Sequence, residues 1–388
     1  MKWWALLGVL VLCAAAPSPP TTQPATIAAF HGGGGLLGQA EPIGGPPMPV
    51  RWTFSVRDSG PPSTAPTTEP EHVASIEIQA QPIIAGQTVY VADGAGGLHA
   101  LDLASGKQRW AYHAADGFET SPLVMEGCVF LGDLGGIFHA VSTETGKQLW
   151  TFDAGNTIHS SANWIDGDIV FGTDGADIYC LSTKGKQIWH AKAGDRINGA
   201  PAVAGNAVFV SGCDAQLRAL NGADGSERYV SDLGALAPGS PAVLADRMVI
   251  GTDEGRVVCM PIGGGKPIWE FDGVEEHAMV YASPAVADGV AVIGARDRKV
   301  YGLDVATGAV KWSFVTRADV DASPLISSGR VYAASRDKHL YVLDLQSGKL
   351  LWDFNAGRPI AAGVAIGEDV LILADTGGIV RCFEPAKP

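Results

Sequence analysis

The sequence predicts an all-β fold, an eight-bladed β-propeller of four-stranded blades, on three marks that recur in phase. The first is an aromatic at Trp110, Trp150, Trp189, Tyr229, Trp269, Trp312 and Trp352, spaced 39 to 43 residues apart. The second is an Asp closing a strand: Asp93, Asp133, Asp174, Asp214, Asp253, Asp297, Asp337 and Asp375. The third is a dipeptide ahead of the next strand: Ser121-Pro122, Ala200-Pro201, Ser240-Pro241, Ser283-Pro284 and Ser323-Pro324. A period near 40 with several short strands in each is the pattern of propeller blades.

From the N-terminus, Met1-Lys2, the apolar run Trp3 to Leu12 and the small residues Ala14 to Ala16 read as an export signal over 1–16. The run is too short for a spanning helix, which needs about 20 apolar residues. Cys13 raises the reading of a lipid anchor, but a lipoprotein box takes a small residue before the cysteine and Leu12 is large. Residues 17–49, rich in Pro, Gly, Thr and Ala, read as a flexible tether, with His31 solvated beside its Gly run. Trp52 lies on an orphan strand around 50–54, and 57–72 reads as a surface loop.

Residues 285–314 show the unit. Strands at 285–287, 290–294, 300–303 and 310–314 are β-branched and aromatic, and Asp288-Gly289 and Ala306-Thr307-Gly308 are turns. The last piece supplies three strands, near 364–366, 370–373 and 379–383, and no Trp strand. Joining the orphan strand of Trp52 to them completes an eighth blade, closes one domain over 50–385 and leaves 386–388 as a tail. Closure removes the sheet edges that invite aggregation.

Composition narrows the chemistry. The formal charge of −14 argues against nucleic-acid binding. The six Cys include no C-x-x-C and no adjacent pair, so zinc and haem attachment lack support. Cys180, Cys259 and Cys382 share a repeat position with Ala100, Ala140, Ala219 and Gly302, a small-residue packing slot; Cys128 and Cys213 also read as small buried hydrophobes. The Asp series reads as turn residues bonding their own backbone. His99 and His139 share a position that takes Tyr, Arg or Val elsewhere and reads as tolerant, while His159 is placed to line the channel.

The phrase Asp-x-x-x-Gly-Lys-x-x-Trp, as in Asp102 to Trp110, resembles the PQQ-like (quinoprotein-type) β-propeller repeat, and the resemblance covers about residues 50–385. It implies that Trp52, Trp110, Trp150, Trp189, Tyr229, Trp269, Trp312 and Trp352 dock between blades and that the repeat Gly closes the turn. Members of this family include quinoprotein alcohol dehydrogenases and a non-enzymatic outer-membrane assembly lipoprotein, BamB, to which size and layout are closest. The dehydrogenases hold PQQ and calcium with an adjacent Cys-Cys disulfide, a channel Trp, an Asp base and a Glu/Asn/Asp set. This chain lacks the Cys pair and, beyond the blade aromatics, offers only Trp164.

The expectation is therefore an exported, monomeric, non-catalytic propeller without cofactor, in the periplasm or at the outer membrane, binding a protein or peptide partner on one face. The alternatives are a PQQ- and calcium-dependent dehydrogenase and a propeller binding a small ligand or carbohydrate. A charge asymmetry marks the face: Asp116, Glu119, Asp174, Asp177 and Asp195 in early blades, against Arg296, Arg298, Lys299, Arg317, Arg336, Lys338, His339 and Arg358 in late ones. We expect Arg296, Arg298, Arg317, Arg336, Lys338 and Arg358 to meet an acidic partner or anionic ligand, set against a competing reading of local pairing with Asp297, Asp319, Asp321 and Asp337.

Overall fold

Eight four-stranded antiparallel sheets succeed one another along the chain in a computed structural model that describes residues 28–58 and 76–385. The segments read as an export signal, the first part of the tether, most of the 57–72 loop and the tail lie outside the described residues. Blade 1 begins at Ile83–Ala85 and blade 7 ends at Leu350–Asn355. Blade 8 combines Ala365–Gly367, Val370–Ala374 and Ile379–Phe383 with Val50–Ser55, which pairs with Ile379–Phe383 and shuts the ring.

The core is divided as the repeat requires. Eight apolar clusters each fill the space between two neighbouring blades, such as Phe130, Phe138 and Phe171 between blades 2 and 3. The recurring aromatic joins each blade to the next. Trp110 of blade 1 donates its indole N–H to the Thr143 carbonyl of blade 2 at 2.8 Å. Its ring lies against Gly146, where φ is +68° and a Cβ would stand 2.7 Å from the ring, so only Gly lets the turn and the indole meet. Trp52, Trp150, Trp189, Tyr229, Trp269 and Trp312 repeat the bond to Leu103, Thr183, Gly222, Ile262, Val305 and Leu345. Trp352 packs on Phe383 instead; the next blade is the seam, where the third and fourth strands come from opposite ends of the chain and no such turn exists. The small-residue slot lies across the strand pair from this aromatic: Ala100 faces Trp110, Cys180 faces Trp189 and Cys382 faces Trp52.

Residues 28–49 correct the expectation of a flexible tether. Ala28 exchanges hydrogen bonds with Val124 of blade 2. The carbonyls of Gly34, Gly35, Leu37 and Gly38 then accept from the amides of Val203, Val243, Val286 and Ile326 on the innermost strands of blades 4 to 7, at 2.7 to 2.8 Å. Asn163 of blade 3 holds both sides of Gly34. The Glu41 carboxylate takes the Glu368 amide of blade 8. The Gly run is thus a device for close backbone approach: a Cβ on Gly35 would meet the Val243 carbonyl oxygen at 2.5 Å. His31 is buried, its ring nitrogens facing the carbonyls of Leu36 and Pro324, and Trp164 packs on Gly33. The segment plugs the channel.

Candidate functional site

One face of the ring is built by a bond that repeats in every blade. The turn between the second and third strands donates a backbone N–H to the incoming loop, as in Gly94 to Glu77, Asp174 to Thr157 and Arg336 to Asp319. These turns and loops therefore surround the channel mouth together. Below them runs a hydroxyl belt. Ser121, Ser161, Ser240, Ser283 and Ser323 accept the amides of Gln81, Ser121, Ala200, Ser240 and Ser283 at 2.7 to 3.0 Å. Most of the belt serines belong to the Ser-Pro mark, which was legible as a beat and not as a ring. The plug underlies blades 2 to 8, leaving above it a cup of about 270 Å³ lined in part by Phe30.

The recurring Asp does more than the sequence suggested. Asp93 accepts its own turn's amides with one oxygen and the His99 ring with the other at 2.9 Å, both side chains buried. Asp133 holds His139 in the same way, Asp337 holds Tyr341, Asp297 holds Tyr301, Asp214 holds Arg218 and Asp375 holds Arg381. The position of His99 and His139 is not tolerant: it is matched to the carboxylate, since a buried charge needs a partner. In blades 3 and 5 Thr173 and Thr252 cap the turn, and one oxygen each of Asp174 and Asp253 is buried without a partner among the described residues.

Two charged clusters stand on the rim. On blades 2 and 3, the Glu119 carboxylate meets His159 Nδ1 at 3.0 Å, and Asp174 lies 3.6 Å from Nε2. The hydrogen bond that His159 donates to Glu119 pushes its pKa above the usual imidazole value despite burial. On blades 6 and 7, Arg296 and Arg336 both bind the nearly buried Asp321 carboxylate, at 2.8 and 2.7 Å. Its own desolvation opposes the charge, and the two guanidiniums hold its pKa below the usual range. Arg298, Arg317, Lys338 and Arg358 are exposed on the same face, form no ion pair among the described residues and do not line the cup. The structure thus brings together two of the six basic residues and leaves four outside. Sequence reasoning placed His159 near the channel but missed Gln81, Asn198 and Tyr281, which also line the cup. Of the cysteines, Cys180, Cys259 and Cys382 are buried, whereas Cys128 and Cys213 are half-buried, contrary to expectation.

A family model described as outer membrane protein assembly factor BamB matches residues 49–171, 139–272 and 263–387. The BamB assembly factors of Moranella endobia (strain PCIT) and Yersinia pestis are 27% and 25% identical over 152 and 154 residues, 36% and 35% of this chain. Those matches span 39% and 38% of the relatives' lengths. Among solved structures, BamB from Moraxella catarrhalis superposes with a TM-score of 0.70 at 14% identity, over 88% of this chain and 98% of that one. Quinohemoprotein alcohol dehydrogenase from Comamonas testosteroni does so at 0.71 and 13% identity, over 88% and 77%. At such identities these likenesses establish the fold.

Proposed function

Since the chain belongs to the BamB family of outer membrane protein assembly factors, we propose that it is an exported, non-catalytic propeller acting in outer-membrane protein assembly. It works in the periplasm or at the outer membrane and presents its mouth face to a protein partner. The observation that carries this reading is the plug: with residues 28–40 seated in the channel, the rim is what the propeller offers. The unpaired Arg298, Arg317, Lys338 and Arg358 form a basic sector on an acidic chain, suited to steering an acidic partner surface. Among the described residues no helix is long and apolar enough to cross a membrane.

The quinoprotein alternative needs a cradle that these residues do not fit. The chain has no adjacent cysteines. Among the described residues no three His, Cys, Asp or Glu side chains are grouped to hold a metal ion, and Phe30 and His31 stand where the channel would deepen. Two measurements test the proposal. Expression in a strain lacking its own BamB should restore the outer-membrane permeability barrier, and reversing the four unpaired cations to Glu should abolish rescue without altering the melting temperature. Full rescue by that variant would remove the basic sector from the reading. Dye-linked alcohol oxidation after addition of PQQ and calcium would overturn the non-catalytic assignment.

A further inference from the structure

The rim clusters sit on blades 2 and 3 and on blades 6 and 7, four blades apart in a ring of eight, so they face each other across the mouth. We propose that the cup binds a short zwitterionic peptide, its ammonium toward Glu119 and Asp174 and its carboxylate toward Arg296 and Arg336. The site does not depend on the scaffold reading.

Charge sets the polarity. Two carboxylates flank one imidazole ring at the Glu119–His159–Asp174 cluster, and with Asp195 they outnumber the nearby guanidinium of Arg196, so acidic groups dominate this end. Two guanidiniums share the carboxylate of Asp321, while Asp319 acts on Arg296 through its charge without pairing among the described residues, so this end presents cationic donors. Arg336 gives its Nε to Asp321, and among the described residues nothing engages its two terminal nitrogens. Such a fork matches a carboxylate in two-point fashion. A neutral sugar would leave both ends uncompensated, and a phosphate ester would meet repulsion at Glu119.

The middle of the cup supplies the second, independent observation. Gln81 is 6% exposed and donates its side-chain amide to the Val364 carbonyl, yet its Oε1 is buried without a donor among the described residues, and Asn198 Oδ1 is in the same state. A buried acceptor left unpaired costs about 1–3 kcal/mol, and turning either amide oxygen out toward a peptide N–H laid across the cup relieves it. Tyr281, 41% exposed with Arg296 over its ring at 5.2 Å, offers an apolar wall for a side chain. A cavity of about 270 Å³ falls just under the roughly 300–1,000 Å³ of drug-sized sites, a fit for a few residues.

The test is calorimetric titration of the full chain at low salt with di-, tri- and tetra-alanine. Saturable one-to-one binding is expected, strongest at the length that matches the separation of the clusters. N-acetylation or C-amidation should each weaken it about tenfold or more. Arg336→Gln should erase the penalty for amidation and spare that for acetylation, and Glu119→Gln should do the reverse, a crossed pattern that misfolding cannot produce. Absence of saturable heat with all three peptides, equal binding of capped and free forms, or failure of the crossed pattern would overturn the proposal.

Discussion

Substituting Gly38 by Ala should release the plug while sparing the ring. Gly38 has φ +60°, where an L-residue costs about 1–2 kcal/mol. A Cβ there would stand 2.7 Å from both Ala285 Cβ and His31 Cε1, far inside the roughly 3.5–4.0 Å carbon contact. Overpacking of this kind costs about 1–3 kcal/mol, so docking should weaken by roughly 2–5 kcal/mol, or about 30- to 4,000-fold at about 1.4 kcal/mol per decade. The assay is native-state hydrogen exchange at the amides of Val203, Val243, Val286 and Ile326, whose hydrogens are held by plug carbonyls. These four should exchange faster by that factor, and amides paired within blades should keep their protection. Gly86→Ala is the control, because Gly86 has φ +53° with nothing within 4 Å of a Cβ; it should leave all four unchanged. Wild-type protection of the four amides in Gly38→Ala would refute the account of the plug.

Three further outcomes are expected. Trp110→Phe strands the Thr143 carbonyl and should cost about 1–3 kcal/mol in urea unfolding, whereas Trp352→Phe, whose indole N–H has no acceptor among the described residues, should cost less. Burial lowers the His31 pKa from 6.5, so its contribution to plug docking is complete above that value and is lost as the pH falls from 6.5 toward the folded value. Exchange of the same four amides at pH 5.5 and 7.5 reads that loss. His159 has the opposite sign: its pKa is raised, so its contribution is full below 6.5 and fades as pH rises through the folded value, as imidazole NMR titration will report. Burial pushes Cys180 and Cys382 up to about 12 and Cys259 to about 11, so alkylation at pH 8 followed by peptide mass spectrometry should find these three slower than Cys128 and Cys213.

The ring was legible because its marks are local and repeated: a Gly, an aromatic and an Asp at fixed phase describe each blade without knowledge of any other. The plug was not, because its partners are single amides on strands far along the chain, and a Gly run that approaches backbone closely has the composition of a linker. His99 and His139 were misread for a related reason. Reading one column showed variation, and only the paired column, in which the Asp shifts along its turn as the partner changes from His to Tyr, shows the match. The opposed rim clusters were visible as two blocks of charge, and it took the eightfold geometry to set them face to face.

The seam between Val50–Ser55 and Ile379–Phe383 also sets a timetable for synthesis. The earliest strand of the propeller must wait for the latest before the gap closes. A nascent or prematurely ended chain carries two open sheet edges, the state most exposed to proteases and to pairing with other chains. Closure thereby acts as a check on length: only a fully translated molecule can hide its edges.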